Sequence, residues 1–234
     1  MKIDLNRYKL FKNQKYTISK LPNQGLCNIN YIAKTPLKNY LIREFRLPNI
    51  DRDFEFKVQK KAYLKGVAPK PIVLDLEQNL MITEFVIAEH LFTLNRKNLK
   101  QLALTLKRVH KIKIYQKPHN HKKDFKLKNK KAQKIILKLK KYKRDLTINH
   151  HDLNPKNILF ANKITLIDWE FARINDRYFD LATISVEFRL NRDNELYFLR
   201  QYFSRDRFSI DKLNLYKELY KELCAIWNEA NTKG

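Results

Sequence analysis

The sequence predicts an α+β protein of two lobes, a small mixed β-sheet lobe followed by a mostly helical lobe. Short β-type runs separated by turn residues fill the first third of the chain, with one helical segment among them. After about residue 88, apolar residues instead recur at the spacing typical of helices. Because 44% of the 234 residues are hydrophobic, the chain can bury a substantial core. We place the domain boundary after residue 85, which gives lobes of residues 1–85 and 86–234.

Five strands and one helix are predicted in the first lobe. Turn residues at Pro22–Gly25 and Thr35–Pro36 separate strands from one another. A helix is predicted over Asp51–Leu64, because apolar residues at helical spacing follow an aspartate that can cap the first turn. The predicted strands are residues 16–19, 30–33, 40–45, 72–76 and 80–85.

Three segments with helical spacing are predicted in the second lobe. They are residues 99–110, residues 135–139 within the lysine-rich stretch Lys122–Arg144, and the tail between Leu213 and Trp227. In the tail, the spacing predicts that Trp227 lies on the same apolar helix face as Leu213.

The charge of the chain is strongly positive. Its 49 Lys and Arg residues against 24 Asp and Glu residues give a formal net charge of +25. Such a charge is typical of proteins that bind nucleic acid or anionic membranes. It is equally explained by codon bias towards A and T, which enriches lysine, asparagine, isoleucine, phenylalanine and tyrosine and leaves only three glycines. Charge alone therefore does not identify the function.

The cysteines and the amino terminus indicate the cellular compartment. Cys27 and Cys224 lie far apart and form no CxxC pair, so neither a zinc ribbon nor a disulfide framework is predicted. Asp4, Asn6 and Arg7 interrupt the apolar residues at the amino terminus, unlike in a signal peptide. No run approaches the roughly 20 apolar residues of a membrane-spanning helix. We expect a cytoplasmic protein that is either free or peripherally bound to a membrane.

A polar segment between the helical blocks carries the residues most suited to chemistry. His150–Asn157 is followed by the apolar run Ile158–Phe160, a polar turn, and a second apolar run that begins at Ile164 and leads to Asp168. A hairpin of these two runs would bring Asn157 and Asp168 to the same end. Asp152 would lie beside them, which gives a cluster of three polar side chains.

Such a cluster is suited to phosphoryl transfer, which depends mainly on positioning and charge neutralisation. Asp168 can hold Mg²⁺ on nucleotide phosphates, Asn157 can complete its oxygen coordination, and Asp152 can accept the proton of an attacking hydroxyl. With His150, the spacing matches the kinase catalytic-loop form H-x-D-x-x-x-x-N. We expect His150 either to hydrogen-bond the backbone of the metal-binding turn or to pack as a loop histidine. Taken singly, Asp152 is also explained as a turn residue and Asp168 as a strand-end cap.

These motifs resemble a known family. His150–Asn157, Ile167–Phe171, Asn175–Asp176 and Phe179–Ala182 are similar to the bacterial choline kinase branch of the choline/ethanolamine kinase and aminoglycoside phosphotransferase superfamily. The resemblance extends over most of the chain. It implies a protein-kinase-like fold with ATP between the two lobes as phosphate donor and Mg²⁺ as cofactor.

The resemblance also implies a set of nucleotide-binding residues in the first lobe. They comprise two residues of a phosphate-covering hairpin, a phosphate-contacting arginine, the glutamate that orients this arginine, and two residues beside adenine. In that order they are Gly25, Asn28, Arg43, Glu55, Glu84 and Val86.

The implied acceptor is a small cationic alcohol. A quaternary ammonium group cannot donate an N–H hydrogen bond, so its site needs aromatic faces and a carboxylate. Glu187 is otherwise explained as a structural ion-pair acid, and Trp227 as a core residue of the last helix. The substrate-binding residues that the resemblance implies are Asn154, Glu170, Phe171, Glu187 and Trp227.

Several functions remain open at this point. Choline kinase is the preferred interpretation, followed by thiamine kinase or another amino-alcohol kinase. An aminoglycoside kinase would need a broad acidic groove, which a chain of charge +25 supplies poorly. The non-enzyme alternative is a kinase-like scaffold that uses Lys122–Arg144 to bind an acidic surface or nucleic acid. The joint presence of Asp152, Asn157 and Asp168 argues for the enzyme and against a nucleic-acid partner, while the oligomeric state is left open.

Overall fold

The chain divides into two compact units. A computed structural model describes residues 3–22, 24, 27–121 and 129–231, with side chains up to residue 229. The units are Met1–Ala88 and Glu89–Gly234. Gly25 of the implied phosphate-covering hairpin and residues 122–128 of the lysine-rich stretch lie outside the described residues. The predicted order, a lobe of strands with one helix followed by a mostly helical lobe, is confirmed.

The N-terminal unit is built on a five-stranded antiparallel sheet of order β1-β2-β3-β5-β4. All five predicted strands are present, with ends that differ from the predictions by up to two residues. Strands pair in chain order except that β5 lies between β3 and β4. The strands are β1 (Thr17–Lys20), β2 (Asn28–Lys34), β3 (Asn39–Phe45), β4 (Pro71–Asp75) and β5 (Leu80–Glu84).

The two faces of this sheet are covered by different segments. Ile42 of β3 packs in a buried cluster with Leu5, Tyr8 and Phe11 of the amino-terminal segment. Arg43, the next residue along β3, points to the opposite face. There it forms an ion pair with Glu55 of helix α1 (Arg52–Leu64). The predicted cap of α1 is confirmed, because its first turn donates a backbone hydrogen bond to the preceding aspartate. The contribution of the amino-terminal segment to this core was not predicted. Its backbone is irregular, so its apolar residues do not recur at the regular spacing of a helix or a strand.

The C-terminal unit contains five described helices. They are α2 (Arg96–His110), α3 (Lys130–Leu139), α4 (Tyr178–Glu187), α5 (Arg192–Phe203) and α6 (Ile210–Asn231). Each helical segment predicted in the second lobe is present. Helix α2 packs against α5, and both α3 and α4 pack against α6.

The tail helix α6 departs from its prediction at one position. Its buried face runs from Leu213 to Leu223, as the spacing predicts. Trp227 continues the same spacing, but it is 44% exposed, so the alternative explanation of Trp227 as a core residue is wrong. The reason is that packing ends with Leu223, since residues 224–229 are all half-buried or exposed.

Two small antiparallel pairs of strands complete the C-terminal unit. Strand β6 (Leu146–Asn149) pairs with β9 (Arg173–Asp176). Strands β7 (Ile158–Phe160) and β8 (Ile164–Leu166) form the predicted hairpin, with Ile158 opposite Leu166. No helix in the described part of the chain is long and apolar enough to cross a membrane.

The amino-terminal segment is expected to contribute strongly to stability. Phe11 is buried and its ring packs against the rings of Tyr16 and Tyr40. Phe11→Ala should therefore lower the free energy of unfolding by about 3 to 5 kcal/mol, as measured by urea titration. The neighbouring exposed residue provides the control, since Lys12→Ala should change it by less than about 0.5 kcal/mol. A loss below about 1 kcal/mol for Phe11→Ala would contradict a core role for this segment.

Candidate active site

The loop that carries the predicted catalytic residues begins at the end of β6 and is held by a buried carboxylate. The two oxygens of Asp180, on α4, accept the backbone N–H groups of His150 at 2.8 Å and His151 at 2.9 Å. His110 Nε2 donates to the same carboxylate at 3.2 Å. Asp180 is fully buried. The backbone is thus fixed just before Asp152.

Asp180 is a residue whose role the sequence analysis missed. It was noted only as part of the motif Phe179–Ala182. The available signal was an acidic residue in the first turn of an otherwise apolar helix, a place where a carboxylate is unlikely to be buried without hydrogen-bond donors.

Asp152 is held by the two amide side chains that follow it. Its carboxylate accepts hydrogen bonds from Asn154 Nδ2 at 3.0 Å and from Asn157 Nδ2 at 2.8 Å. Burial raises the pKa of Asp152 to about 6, and the negative charges of Asp168 and Glu170 act in the same direction. A carboxylate with this pKa is suited to accept a proton near neutral pH.

The hairpin places Asn157 and Asp168 at one end, as predicted. Ile167 N–H donates to the Asn157 carbonyl at 3.0 Å, immediately beyond the last strand pair. The amide nitrogen of Asn157 donates a hydrogen bond to Asp152. Its amide oxygen is therefore the atom that could coordinate a metal ion. Asp168 lies close enough to Asp152 for its charge to raise the Asp152 pKa. The three predicted polar side chains therefore meet within one unit.

The backbone at Asp168 is left-handed, with φ 64° and ψ 67°. For a residue other than glycine this conformation costs about 1 to 2 kcal/mol, so the surroundings must hold it. The short 3-10 turn Trp169–Phe171 follows at once, and the buried Trp169 indole donates to the Leu166 carbonyl at 3.0 Å. The turn is thereby anchored to the end of β8.

His150 forms the hydrogen bond expected of it. Its Nε2 donates to the Ile167 carbonyl at 2.9 Å, and its ring centroid lies 4.6 Å from that of Trp169. Because His150 is fully buried, it cannot contact a substrate. His150, which the catalytic-loop spacing groups with Asp152, therefore acts by positioning the turn that carries Asp168.

His151 also has a left-handed backbone, with φ 74°. Its ring stacks on Phe179 with centroids 3.8 Å apart, and its Nε2 lies 2.8 Å from Asn175 Nδ2. Burial lowers the pKa of His151 well below its ordinary value, so the ring is neutral. It therefore packs the loop onto α4 and carries no charge into the site.

The acceptor residues implied by the resemblance lie in three places of the C-terminal unit. Asn154 is in the catalytic loop, and Glu170 and Phe171 follow Asp168 in the 3-10 turn. Glu187 ends α4, where it is half-buried and accepts a hydrogen bond from the Tyr220 hydroxyl at 2.8 Å. Trp227 lies on α6 and is not a core residue.

Tyr220 and Cys224 are further residues of this region that the sequence analysis did not assign to the site. Both lie on α6 at helical spacing with Trp227. Burial raises the pKa of the Cys224 thiol, and the charges of Glu187 and Asp152 act in the same direction. Cys224 thus lies within electrostatic range of both Glu187 and Asp152.

The nucleotide-binding residues implied by the resemblance lie in the N-terminal unit. Arg43 donates to Glu55 Oε1 at 2.6 Å, so the implied ion pair is present and both partners are buried. Arg52 donates to the other oxygen of Glu55 at 2.7 Å, and its guanidinium stacks on the Phe45 ring at 3.9 Å. Glu55 is therefore fixed by two arginines.

The remaining implied nucleotide residues occupy strand ends. Asn28 is buried at the start of β2. Glu84 ends β5, with one carboxylate oxygen 3.5 Å from Lys38 Nζ, and the half-buried Val86 follows it.

The donor set near the hairpin fits Mg²⁺. A carboxylate from Asp168 and an amide oxygen from Asn157 are hard oxygen ligands. In the described parts of the chain, no group of three His, Cys, Asp or Glu side chains could hold a metal ion unaided.

The chain is similar in sequence and in fold to several known proteins. Protein LicA of Haemophilus influenzae is 24% identical over 208 residues, which cover 76% of this chain and 60% of that protein. The fold matches choline kinase LicA from Streptococcus pneumoniae with a TM-score of 0.78 and 24% identity, over 91% of this chain and 84% of that one. A choline/ethanolamine kinase family protein from Mesorhizobium loti gives a TM-score of 0.77 and 18% identity, over 98% and 84%.

These matches establish the kinase-like fold, while the chain spans only about 60% of the length of the curated Haemophilus relative. The family model of the phosphotransferase enzyme family matches residues 20–213. Because this match covers most of the sequence, the chain belongs to the phosphotransferase enzyme family.

Proposed function

We propose that the chain is an ATP- and Mg²⁺-dependent kinase that phosphorylates the hydroxyl group of choline or a related amino alcohol. The observation that carries the proposal is the cluster of Asp152, Asn157 and Asp168 at one end of the β7–β8 hairpin. Membership of the phosphotransferase family supplies the class of reaction.

In the proposed reaction, Asp152 is the general base. The acceptor oxygen attacks the γ-phosphorus of ATP, a new O–P bond forms, the bond to the ADP oxygen breaks, and the hydroxyl proton passes to Asp152. Asn154 and Asn157 hold the Asp152 carboxylate in place during this transfer. Asp168 and Asn157 would hold Mg²⁺, which when bound neutralises charge on the phosphates.

In the N-terminal unit, the proposed nucleotide contacts follow the family resemblance. Arg43 contacts phosphates, and Glu55 orients it through the 2.6 Å ion pair. The resemblance assigns phosphate contacts to Asn28 and to Gly25, of which Gly25 lies outside the described residues. The backbone at Glu84 and Val86 binds adenine.

The proposed acceptor is a cation because carboxylates dominate the region next to the base. Glu170 lies close enough to Asp152 to raise the pKa of that carboxyl. One carboxylate oxygen of Glu187 accepts a hydrogen bond from the Tyr220 hydroxyl. Phe171 and Trp227 supply rings, which attract a quaternary ammonium group without N–H donors. Asn154 completes the proposed contacts. Ethanolamine and thiamine are the alternative acceptors of the same charge.

The role of Asp152 can be tested by an isosteric substitution. Asp152→Asn should lower kcat by about 100- to 10,000-fold, because the proton acceptor is lost. Nucleotide affinity should stay nearly unchanged, as measured by calorimetric titration with a non-hydrolysable ATP analogue. Asp206→Asn changes an exposed aspartate of the same unit and should retain the parent rate. An Asp152→Asn enzyme within about tenfold of the parent would exclude Asp152 as the base.

The metal assignment predicts different effects for the two proposed ligands. Asp168→Ala should abolish the Mg²⁺ dependence of nucleotide binding, because the charged ligand is removed. Asn157→Ala should leave this dependence in place but raise the Mg²⁺ concentration needed for half-maximal binding. Binding of labelled ATP is measured during Mg²⁺ titration of each variant. An unchanged requirement in Asp168→Ala would exclude this residue as a ligand.

The acceptor assignment predicts discrimination by charge. Glu187→Gln preserves the shape and the hydrogen bond from Tyr220 but deletes the negative charge. It should lower kcat/KM for choline about tenfold or more and spare the neutral analogue 3,3-dimethylbutanol, which is the internal control. Trp227→Ala should have a smaller effect, about two- to fivefold in the KM of choline, because cation–π contacts at exposed sites are weak. Equal losses for charged and neutral acceptors would contradict a cation site.

A further inference from the structure

The outward face of α3 carries a continuous row of lysines. Lys130, Lys134, Lys138 and Lys141 follow each other at intervals of three or four residues, so they share one side of the helix and of the turn that extends it. All four are exposed, and Leu137 lies among them with 53% of its surface exposed. We call these five residues the basic stripe. The opposite face of α3 is apolar and buried.

Little negative charge opposes the basic stripe. Residues 129–144 contain eight Lys and Arg residues and no Asp or Glu. From the packed helix α6, Glu222 pairs with Lys131 at 2.6 Å and Glu218 also acts on Lys131, which lies beside the stripe. Within the described ranges, no carboxylate lies at ion-pair distance from the four lysines of the stripe. Their charges are therefore presented to solvent.

We propose that the basic stripe docks the protein on a bilayer that contains anionic lipid. Because α3 buries its apolar face against its own protein and presents lysines outward, its exposed face is complementary in charge to an anionic membrane surface. Each lysine held near such a surface increases binding about fivefold, so four lysines together are sufficient for reversible association. This docking is independent of the proposed kinase activity, because no residue of the stripe belongs to the candidate active site.

The composition of the stripe favours lipid over nucleic acid. Its cations are all lysine, a hydrated point charge that does not require a fixed partner geometry. Sites for nucleic acid commonly add arginine forks and aromatic rings that stack on bases, and the stripe has neither. An exposed leucine between lysines is instead accommodated at the boundary between headgroups and acyl chains.

The test is sedimentation of the full chain with vesicles at about 0.1 M salt, where long-range surface charge is partly screened. Vesicles of phosphatidylcholine alone are compared with vesicles in which about a third of the lipid is phosphatidylglycerol. The parent should bind only the anionic vesicles. The stripe variant Lys130→Gln/Lys134→Gln/Lys138→Gln/Lys141→Gln should bind them at least tenfold more weakly, and its thermal unfolding midpoint should match that of the parent.

A matched control separates the stripe from total charge. Lys57, Lys60, Lys61 and Lys65 are exposed on and just after α1, so replacing these four with glutamine removes the same charge elsewhere. This control should bind anionic vesicles within about twofold of the parent. Equal weakening of both quadruple variants would overturn the proposal, as would equal binding to both kinds of vesicle. It would also be overturned if the parent bound a short duplex DNA through the stripe and no vesicle.

Discussion

The carboxylate of Asp180 is the interaction on which the geometry of the catalytic loop depends. A buried carboxylate is costly unless donors surround it, and here His110 and two consecutive backbone amides supply them. A series of further hydrogen bonds, which we call the loop network, leads from this segment to Asp152. His150 reaches the Ile167 carbonyl, the Ile167 amide reaches Asn157, and Asn157 holds the Asp152 carboxylate. Asp152, Asn157 and the residue before Asp168 are therefore connected by one series of hydrogen bonds.

The loop network also explains how the site accommodates backbone strain and repulsion between carboxylates. Left-handed backbone at His151 and Asp168 is maintained because neighbouring groups are held by buried partners. The carboxylates of Asp152, Asp168 and Glu170 lie near each other despite their mutual repulsion, which contributes to the raised Asp152 pKa. A chain of net charge +25 thus contains a locally acidic cluster of carboxylates. The positive net charge of the chain is reflected in the lysines on the surface of α3 and not in the charges around Asp152.

The parts predicted from the sequence are those set by local pattern. The hairpin and the catalytic-loop spacing involve residues close in sequence, so Asn157 and Asp168 could be placed together before the fold was known. The bond between Tyr220 and Glu187, and the bonds of Asp180 to the loop, join residues about 30 positions apart. They depend on how α4 packs against its neighbours, which no local period encodes. Exposure of Trp227 likewise depends on where helix packing ends.

The central claim is that the Asp152 cluster transfers phosphate from ATP to a cationic alcohol. The most direct measurement is ³¹P NMR of the protein with ATP, Mg²⁺ and choline. The account predicts loss of the γ-phosphate signal and growth of a phosphomonoester signal that appears only when choline is present. Consumption of ATP to inorganic phosphate at the same rate with and without choline, and with no phosphomonoester from choline, ethanolamine or thiamine, would contradict it.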